Sequence, residues 1–567
     1  MRILADRHPL LLLAFITAGA FALRLWGIRY GLPHLYVNDE YHEVMRAMEL
    51  GSGSFNFERY FKGGLYFLLF FEYGIYFVLL KLAGVVESAR DFAINFARDP
   101  SIFYLMGRVT VALFGTLNVV LTYSIARRAY TVGAGILAAA FLAVNVVHVD
   151  LSHKVNLDVV MTCLASAALL FSIRLVNDGA ARNYLWAAAF AALATTTKIT
   201  AILLIVPLLV AHTYYVRQSG GGVREWISSR HLWVSGGVFA AILLVTNPGI
   251  IVAYRFIAIF TADGDSIASG LDEDFFIGAT ERPYLYLYYL NVLHESMGWP
   301  LLVVSLAGTA YGLWKRTSAD VILISFAVVL YLALANTTST HLYYPRYTPP
   351  IIVVLALMAG RLVYDSCARI VAARAVAVTA SAGILMAVPA YESAVDNRLL
   401  TQTDTRTLAK EWIETNVPHG ASVFIEGAKL TPLRNSVPLQ DTEESMRRRI
   451  EYWRVEEPRQ AEFLSYKLQV LQGVGFDLKL VSLEDIDSLE TYRQQGIEYF
   501  VVDPRRLLGH RRRTTRAAEL LHDLRSADDV ALIKTFEADE SERLGPTIEI
   551  YQRIDRANSG QAAGGPA

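Results

Sequence analysis

Twelve long apolar runs constrain the fold of this chain more than any other feature. Each run is close to the ~20 residues that a helix needs to cross the hydrocarbon core of a membrane. Because backbone polar groups cannot stay unpaired in lipid, the runs are predicted to be helices and not strands. They lie near residues 9–28, 64–84, 105–126, 131–149, 156–175, 184–197, 199–216, 232–252, 299–314, 320–337, 346–364 and 374–391.

The composition agrees with a membrane protein. Hydrophobic residues make up 54% of the 567 residues and charged residues only 19%, which leaves too little polar surface to cover a soluble globule of this size. The formal net charge of −1 gives no electrostatic argument for binding nucleic acid. The two cysteines, Cys163 and Cys367, have no neighbour at the spacing of a disulfide or a zinc site.

The first run has one feature of a signal peptide, since Arg2 and Arg7 precede it. However, Arg24 and Trp26 stand where the small residues of a cleavage site belong. An uncleaved membrane anchor is therefore predicted.

The basic residues of the loops test the topology. If every run spans and the N-terminus is cytoplasmic, several basic loops fall outside, against the positive-inside rule. If the run 64–84 lies instead in the interface, these loops all become cytoplasmic. We therefore predict about eleven spans and interfacial helices. The loops concerned contain Arg127 and Arg128, Arg174 and Arg182, Arg217, Arg224 and Arg230, Lys315 and Arg316, and Arg369 and Arg374.

This topology divides the chain into domains. Residues 1–391 are predicted to form the polytopic α-helical membrane domain, with 29–104 as a first external loop that contains juxtamembrane helices. Residues 392–556 are rich in charge, and segments such as ASVFIEG, EYFVVD and TIEIYQR favour strands. They are predicted to form a small soluble α/β domain outside the membrane. The tail 557–567 is small and polar and is predicted to be disordered.

The predicted outer face carries few charged residues, and each is a functional candidate because charge near lipid is costly. Asp39 and Glu40 follow the first span in YVNDEYHE. Two adjacent carboxylates could supply a general base and a ligand for a metal or a hydrogen bond. A solvated loop or a helix N-cap is the alternative explanation.

A second polar group lies in HVDLSHKVNLD, at the outer ends of two spans. His153 and Asp158 are near enough in sequence to face one cavity, together with His148 and Asp150. A metal site is one interpretation, although the spacing matches no standard zinc pattern. Helix capping by interfacial polar residues is the other.

Two cations complete the outer-face group. Lys198 interrupts two apolar runs in ALATTTKITAILL, and Arg346 opens a span in STHLYYPRYTPP, beside Tyr344. A guanidinium suits bidentate recognition of phosphate, whereas snorkelling to the interface is the alternative for both residues. Acids and cations on one face together suit group transfer from a phosphorylated donor, because acids activate a nucleophile and cations hold the leaving phosphate.

These segments, taken in order, resemble the GT-C glycosyltransferases, specifically the branch of the protein O-mannosyltransferases and the lipid A aminoarabinose transferase. The matching segments span residues 10–364 and are NDE, RYFKGGLYF, DPSIFYLMGRVTVALFGTLNVVLTY, HVDLSHKVNLD, ATTTKITAILLIVPLL, TNPG and YYPRYTPPIIVVLALMAG. The resemblance implies an inverting membrane glycosyltransferase that uses a polyprenyl-phosphate-linked sugar.

The resemblance also implies roles for individual residues. Asp39 would be the catalytic base, and Glu40 would orient the loop or bind a metal. Lys198 and Arg346 would hold the donor phosphate, and Lys62 in RYFK would lie near the phosphate or the acceptor. The remaining residues, His153, Asp158 and Tyr344, would line the cavity.

The chain departs from the family pattern at two places. Phe61-Lys62-Gly63-Gly64 stands where a His- or Pro-rich patch is common, and Ile199 follows Lys198 where an aromatic residue is usual. These two departures concern the predicted contact with the acceptor.

The implied partners are the lipid-linked sugar donor, membrane lipid and a protein, lipid or glycan acceptor, with no nucleic acid. A divalent cation is left open as a cofactor, with Glu40, Asp158 and His153 as candidate ligands. The implied location is the plasma (inner) membrane, with the active site and the C-terminal domain extracytoplasmic. A lipid or solute transporter or flippase, which would place charge at the bilayer midplane, and a non-catalytic membrane scaffold are the alternative functions.

Overall fold

The computed structural model describes residues 8–51, 64–247, 283–336, 344–367, 374–426, 436–456, 458–509, 515–539 and 541–554. They divide into two compact units, and each is described by itself. The first unit contains residues 1–28, 42–74 and 104–397, and the second contains residues 29–41, 75–103 and 398–567.

The chain before residue 400 is helical throughout its described segments. Its α-helices are α1 (Pro9–Leu25), α2 (Asn38–Gly51), α3 (Gly64–Leu82), α4 (Ala89–Arg98), α5 (Ser101–Ala129), α6 (Val132–Ala143), α7 (Val146–Ser152), α8 (Leu157–Asp178), α9 (Ala181–Thr197), α10 (Ile205–Gln218), α11 (Val223–Ile227), α12 (Arg230–Thr246), α13 (Pro283–Lys315), α14 (Ser318–Ala335), α15 (Pro349–Cys367) and α16 (Arg374–Leu399). Short 3₁₀ helices cover Ile199–Leu204 and Pro345–Tyr347.

Each predicted apolar run overlaps at least one helix of the described residues, while residues 248–252 and 337 of two runs lie outside the described part of the chain. Nine of these helices are long and apolar enough to cross a membrane, and ten if α6 and α7 form one bent span. The helices α1 and α9 are shorter, with 17 residues each. The chain is therefore an integral membrane protein. The nine include α3, so its assignment to the interface stays a prediction.

One helical segment was not predicted from the sequence. The run at 299–314 is only the second half of α13, which begins at Pro283. The first half is rich in tyrosine and contains polar residues such as Asn291 and Glu295, which lower its hydropathy. A break at Gly298, with a φ of 68°, and Pro300 inside the helix separate the two halves.

Glycines allow the helices of the first unit to approach closely. A Cβ atom at Gly133 of α6 would overlap the ring of Tyr364 in α15. A Cβ atom at Gly360 of α15 would lie 2.7 Å from the carbonyl oxygen of Ala134. Small residues at such contacts let neighbouring helices approach closely. Van der Waals packing then holds the helices together, because lipid is as apolar as the helix surfaces and provides no hydrophobic driving force between them.

A bend between α6 and α7 directs the chain toward the polar loop that follows. The two helices meet at 62°. Asn145 caps α7 by accepting from the backbone N–H of His148 and is held by two hydrogen bonds with Ser296, at 3.0 and 2.8 Å. Arg24 is fully buried. Its guanidinium donates to the carbonyl oxygen of Ala20 in α1 and to that of Ala143, the last residue of α6.

The second unit contains a five-stranded mixed sheet in the order β2-β1-β3-β5-β4. The pairs β1–β2 and β1–β3 are parallel, and β3–β5 and β4–β5 are antiparallel. The predicted α/β domain is therefore confirmed. The strands are β1 (Ser422–Glu426), β2 (Asp477–Val481), β3 (Tyr499–Val502), β4 (Val530–Phe536) and β5 (Ile548–Arg553). Its helices are α17 (Thr405–Asn416), α18 (Glu443–Glu456), α19 (Pro458–Gln469), α20 (Leu489–Gln494), α21 (Pro504–Gly509) and α22 (Thr515–Ser526), with a 3₁₀ helix at Leu483–Asp485.

Two apolar clusters cover the two faces of the sheet. Val423 and Ile425 of β1 lie in one cluster with Ile413 of α17, whereas Phe424 lies in the other with Leu520 of α22. This alternation follows from the two-residue period of a strand. Residues from the N-terminal part of the chain also belong to this unit, since Phe96 of α4 packs against Phe463 of α19 with ring centroids 5.9 Å apart.

Candidate active site

A buried ion pair lies at the centre of the polar residues of the first unit. Asp158 is in the first turn of α8, where Asn156 caps the helix by accepting from the backbone N–H of Asp158 at 2.7 Å. Lys198 is the residue at which α9 ends in an extended conformation before the 3₁₀ helix begins. The Lys198 ammonium donates to a carboxylate oxygen of Asp158. Only 9% of the lysine side chain and 3% of the aspartate side chain are exposed.

An aromatic ring joins this pair to a second cation. Tyr347 ends the 3₁₀ turn that precedes α15, and Thr348 holds the turn by donating to the carbonyl oxygen of Pro345 at 2.8 Å. The Lys198 nitrogen lies 3.6 Å from the Tyr347 ring centroid, and the Arg346 guanidinium carbon lies 5.6 Å from the same centroid. Arg346 also lies 4.5 Å from the Tyr344 ring centroid.

This arrangement concentrates positive charge beside aromatic faces. Cation–π contacts with Tyr347 orient both cations without consuming their hydrogen-bond donors. A guanidinium offers donors in a planar fork, and an ammonium offers three donors on a compact charge. We call Asp158, Lys198, Arg346, Tyr344 and Tyr347 the cationic cluster, and its chemistry suits an anion such as a phosphate group.

The His153 side chain contacts backbone carbonyl oxygens. Its Nδ1 lies 2.9 Å from the carbonyl oxygen of Val149, and its Nε2 lies 2.9 Å from the carbonyl oxygen of Trp26. Burial lowers the pKa of the His153 imidazole. His148 lies 2.9 Å from Arg24 through its Nδ1. Both histidines therefore fix the path of the segment between α7 and α8.

Two of the three residues predicted as metal ligands, His153 and Asp158, have other partners in the structure. Both ring nitrogens of His153 face carbonyl oxygens, and Asp158 pairs with Lys198. In the part of the chain that the structure describes, no group of three His, Cys, Asp or Glu side chains is placed to hold a metal ion. Both cysteines are buried and free.

The acidic pair Asp39-Glu40 belongs to the second unit, whereas the cationic cluster belongs to the first. The two carboxylates occupy the first turn of α2, where the positive end of the helix dipole favours negative charge. Asp39 is exposed, but Glu40 is fully buried. Lys62 lies outside the described residues.

Sequence reasoning did not single out Tyr347 or Asn156. The signal for Tyr347 is its position directly after Arg346, in a segment with tyrosines on both sides of the arginine. The signal for Asn156 is the Asn-x-Asp spacing at the start of an apolar run, which is typical of a helix N-cap.

A comparison with family profiles finds one match. Residues 105–249, about a quarter of the chain, match the family described as dolichyl-phosphate-mannose-protein mannosyltransferase. Comparison with curated proteins finds no match.

Two solved structures illustrate the similarity of this chain to known folds. The apo oligosaccharyltransferase of Archaeoglobus fulgidus is 13% identical with a TM-score of 0.50, and the match covers 88% of this chain and 70% of that chain. ArnT from Cupriavidus metallidurans bound to undecaprenyl phosphate is 14% identical with a TM-score of 0.49, covering 96% of this chain and 97% of that chain. At such identities the archaeal match shows the fold alone. Part of the membrane helices of this chain therefore matches the model of a mannosyltransferase family, and the chain shares its fold with a solved oligosaccharyltransferase.

Proposed function

We propose that the chain is an inverting glycosyltransferase that moves a sugar from a polyprenyl-phosphate donor to an acceptor hydroxyl. The observation that carries this proposal is the cationic cluster, in which Lys198 and Arg346 contact one aromatic ring and Lys198 pairs with Asp158. With the carboxylate of Asp158 counted, the two cations leave the cluster one net positive charge, which would attract the phosphate of a lipid-linked donor. The description of the matching family, which names a dolichyl-phosphate-linked mannose, supports this class of donor and a protein acceptor.

The cluster would stabilise the leaving group. As the bond between the anomeric carbon and the phosphate oxygen breaks, its electron pair moves onto that oxygen. Lys198 and Arg346 would then neutralise the developing negative charge, which is the way preorganised charges accelerate transfer reactions. Asp158 would hold the ammonium in place.

Asp39 would act as the base. The acceptor oxygen attacks the anomeric carbon from the face opposite the phosphate, so the configuration inverts, and its proton passes to the Asp39 carboxylate. A base must be reachable by the acceptor, and of the two acidic residues only Asp39 is exposed. Buried Glu40 would fix the start of α2. We route no step through a divalent cation, because His153 and Asp158 already have other partners.

The proposal includes an orientation. The reaction would take place at the extracytoplasmic face of the plasma (inner) membrane, because basic loops set the opposite ends of the helices inside. Residues 1–391 would form the catalytic membrane domain and 392–556 the extracytoplasmic domain. The acceptor would be the hydroxyl of a protein, a lipid or a glycan, and Lys62 would lie beside it or the phosphate.

The decisive experiment is transfer by the purified full chain supplied with a polyprenyl-phosphate-linked hexose. Asp39→Asn should lower the transfer rate by about 10²–10⁴, the usual contribution of a general base. Asp99→Asn is the matched control, because Asp99 is an exposed aspartate that accepts from the backbone N–H of Ser101 at the start of another helix. Near-normal transfer by Asp39→Asn would refute the mechanism.

A further inference from the structure

Two segments that are distant in sequence meet in a network of side chains in the second unit. The Tyr30 hydroxyl donates to Asp404 at 2.7 Å, and the Tyr36 hydroxyl lies 2.7 Å from the Thr407 hydroxyl. The guanidinium carbon of Arg406 lies 3.8 Å from the Tyr36 ring centroid. We call these residues, Tyr30, Tyr36, Asp404, Arg406 and Thr407, the Arg406 clasp.

Both carboxylate oxygens of Asp404 are used within the clasp. Arg406 donates from its backbone N–H and from Nε to Oδ1, at 2.9 and 2.8 Å, and from Nη2 to Oδ2 at 2.8 Å. Tyr30 supplies a further donor to Oδ2. Asp404, Arg406 and Tyr36 are all at most 7% exposed. The planar guanidinium is therefore fixed by two bonds to the carboxylate, in parallel with its contact to the Tyr36 ring.

The clasp is anchored to the sheet of the second unit. Thr405 donates from its backbone N–H to the carbonyl oxygen of Leu544 at 3.1 Å and from its hydroxyl to the carbonyl oxygen of Pro546 at 2.7 Å. Gly545, with a φ of +110°, lies so close that a Cβ atom there would overlap the Thr405 hydroxyl. These three residues lead into β5. The position of Asp404 and Arg406 is therefore set by the C-terminal domain.

Tyr30 of the clasp and the neighbouring His34 do not change protonation state near neutral pH. Burial, together with the charge of Asp404, raises the pKa of the Tyr30 phenol, so it remains a donor. Burial, with Lys410 nearby, lowers the pKa of His34 to about 4, so the imidazole whose ring lies 5.8 Å from that of Tyr36 is neutral.

We propose that the Arg406 clasp positions the acidic segment of α2, so that the C-terminal domain sets the geometry of Asp39. Only Val37 separates Tyr36 from the first residue of α2, and Asp39 is the second residue of that helix. A ring held by Arg406 and a hydroxyl held by Thr407 thus fix the backbone directly before the two carboxylates. This inference rests on the proposed function, in which Asp39 is the base.

Arg406 and Asp404 are positioning residues, since they act on Asp39 through the tyrosines and the backbone. Their loss should therefore lower kcat and leave the KM for the donor unchanged, because the donor is held by other residues. A displacement of about 1 Å in a catalytic group is enough to lower a rate substantially.

The test combines hydrogen exchange and kinetics on the full chain in detergent or nanodiscs. Arg406→Lys keeps the charge and loses the planar fork, and Arg525→Lys is its matched control. Arg525 also contacts a carboxylate and a tyrosine in the second unit, Glu549 at 2.6 Å and Tyr551 at 3.3 Å. A milder variant, Tyr36→Phe, removes only the hydroxyl bond.

Arg406→Lys should raise the exchange rate of amides in peptides covering residues 29–41 by about tenfold and lower kcat by a similar factor. Tyr36→Phe should give about a two- to fivefold change in the same direction, the cost of one hydrogen bond. Tyr499→Phe, which removes only a bond from Gln552 at 3.0 Å, is the control for it. Both controls should leave kcat and exchange in 29–41 unchanged.

Unchanged exchange in 29–41 for both clasp variants would overturn the proposal, and so would faster exchange with an unchanged kcat. If Arg406→Lys does not fold, Tyr36→Phe decides the question alone. The exchange measurement does not depend on the identity of the base. Active Asp39→Asn would therefore refute the proposed function, whereas unchanged exchange would refute the clasp.

Discussion

The Asp158–Lys198 pair of the first unit and the Asp404–Arg406 pair of the second unit have nearly the same burial and different chemistry. In the Asp158–Lys198 pair of the first unit the side chains are 3% and 9% exposed, and in the Asp404–Arg406 pair of the second unit they are 2% and 8% exposed. Both pairs lie beside a tyrosine ring, at 3.6 Å for Lys198 and 3.8 Å for Arg406. The cation is a compact ammonium in one pair and a planar fork in the other.

This difference supports two roles, a proposed anion-binding site in the first unit and a structural joint in the second. Asp404 and Arg406 are two residues apart, and the carboxylate is bound through both oxygens, which suits a rigid joint. Asp158 and Lys198 come from different helices, and a second cation, Arg346, contacts the same ring as Lys198. Burial alone would not distinguish the two pairs.

The largest effect is expected from Lys198→Met, which should lower transfer by about 10²–10³ because a preorganised charge at the leaving group is lost. It should also destabilise the first unit by about 3–5 kcal/mol, since Asp158 is left buried and unpaired. The double variant Lys198→Met/Asp158→Asn should recover most of the stability and none of the activity. Thermal melting and transfer assays on the full chain measure both.

The corresponding double variant in the second unit separates the two roles further. Arg406→Met/Asp404→Asn should leave the KM for the donor unchanged, because neither residue is placed at the phosphate. If the Lys198→Met/Asp158→Asn variant regained activity together with stability, the cationic cluster would be only structural.

Another buried carboxylate, Glu426 at the end of β1, gives a pH dependence. It is 2% exposed, and Arg506 Nε lies 2.8 Å from its Oε1. Burial outweighs this pairing and raises the pKa of Glu426 to about 7. A carboxyl whose folded pKa is raised favours folding below its unfolded value of about 4.5, and this contribution is lost as the pH rises through 7.

Glu426→Gln should remove that dependence. Between pH 5 and pH 8 the parent chain should lose stability of the order of 3 kcal/mol relative to the variant, from the size of the pKa shift. Amide exchange of β1 and β3, corrected for the intrinsic effect of pH, measures this difference. Parallel pH profiles for the parent chain and the variant would show that Glu426 is ionised throughout and that Arg506 prevails over burial.

The smallest effect is expected from Arg346→Lys, which keeps the charge and removes the fork. The KM for the donor should rise by about tenfold, because bidentate contacts to phosphate are lost and the charge remains. Arg174→Lys is the matched control, since Arg174 is an exposed arginine in α8 whose guanidinium carbon lies 5.0 Å from the Phe171 ring centroid. A rise in KM for both variants would indicate a general effect of arginine on lipid contact.

The sequence predicted the helices well because hydrophobic length is a local property. Each apolar run overlaps at least one described helix, and the break at Lys198 falls between two predicted runs. The first half of α13 was missed because its tyrosines and polar residues reduce its hydropathy. The strands β2 and β4 were missed because DLKLV is short and charged and VALIKTF lies at the sheet edge, where hydrophobic alternation is weak.

Side-chain partners could not be predicted in the same way. Asp158 and Lys198 were singled out separately, but their ion pair joins residues 40 positions apart, and no periodicity encodes such a contact. The pairing of Tyr36 with the residues around Arg406 is still more remote in sequence. His153 was predicted to line a cavity or bind a metal, yet backbone carbonyls engage both of its ring nitrogens. Such contacts depend on tertiary packing.

The buried Arg24 at the bend between α6 and α7 determines how this bend responds to acidic pH. The described partners of Arg24 are peptide carbonyls and His148, so its charge is balanced by the negative end of a helix dipole and not by an acid. Peptide dipoles carry no proton that can be gained or lost. The imidazole of His148, which lies 2.9 Å from Arg24, can gain a proton. The direction in which the chain leaves the bend toward Asp158 should therefore persist in acid that neutralises carboxylates, and change only where His148 becomes a second cation beside Arg24.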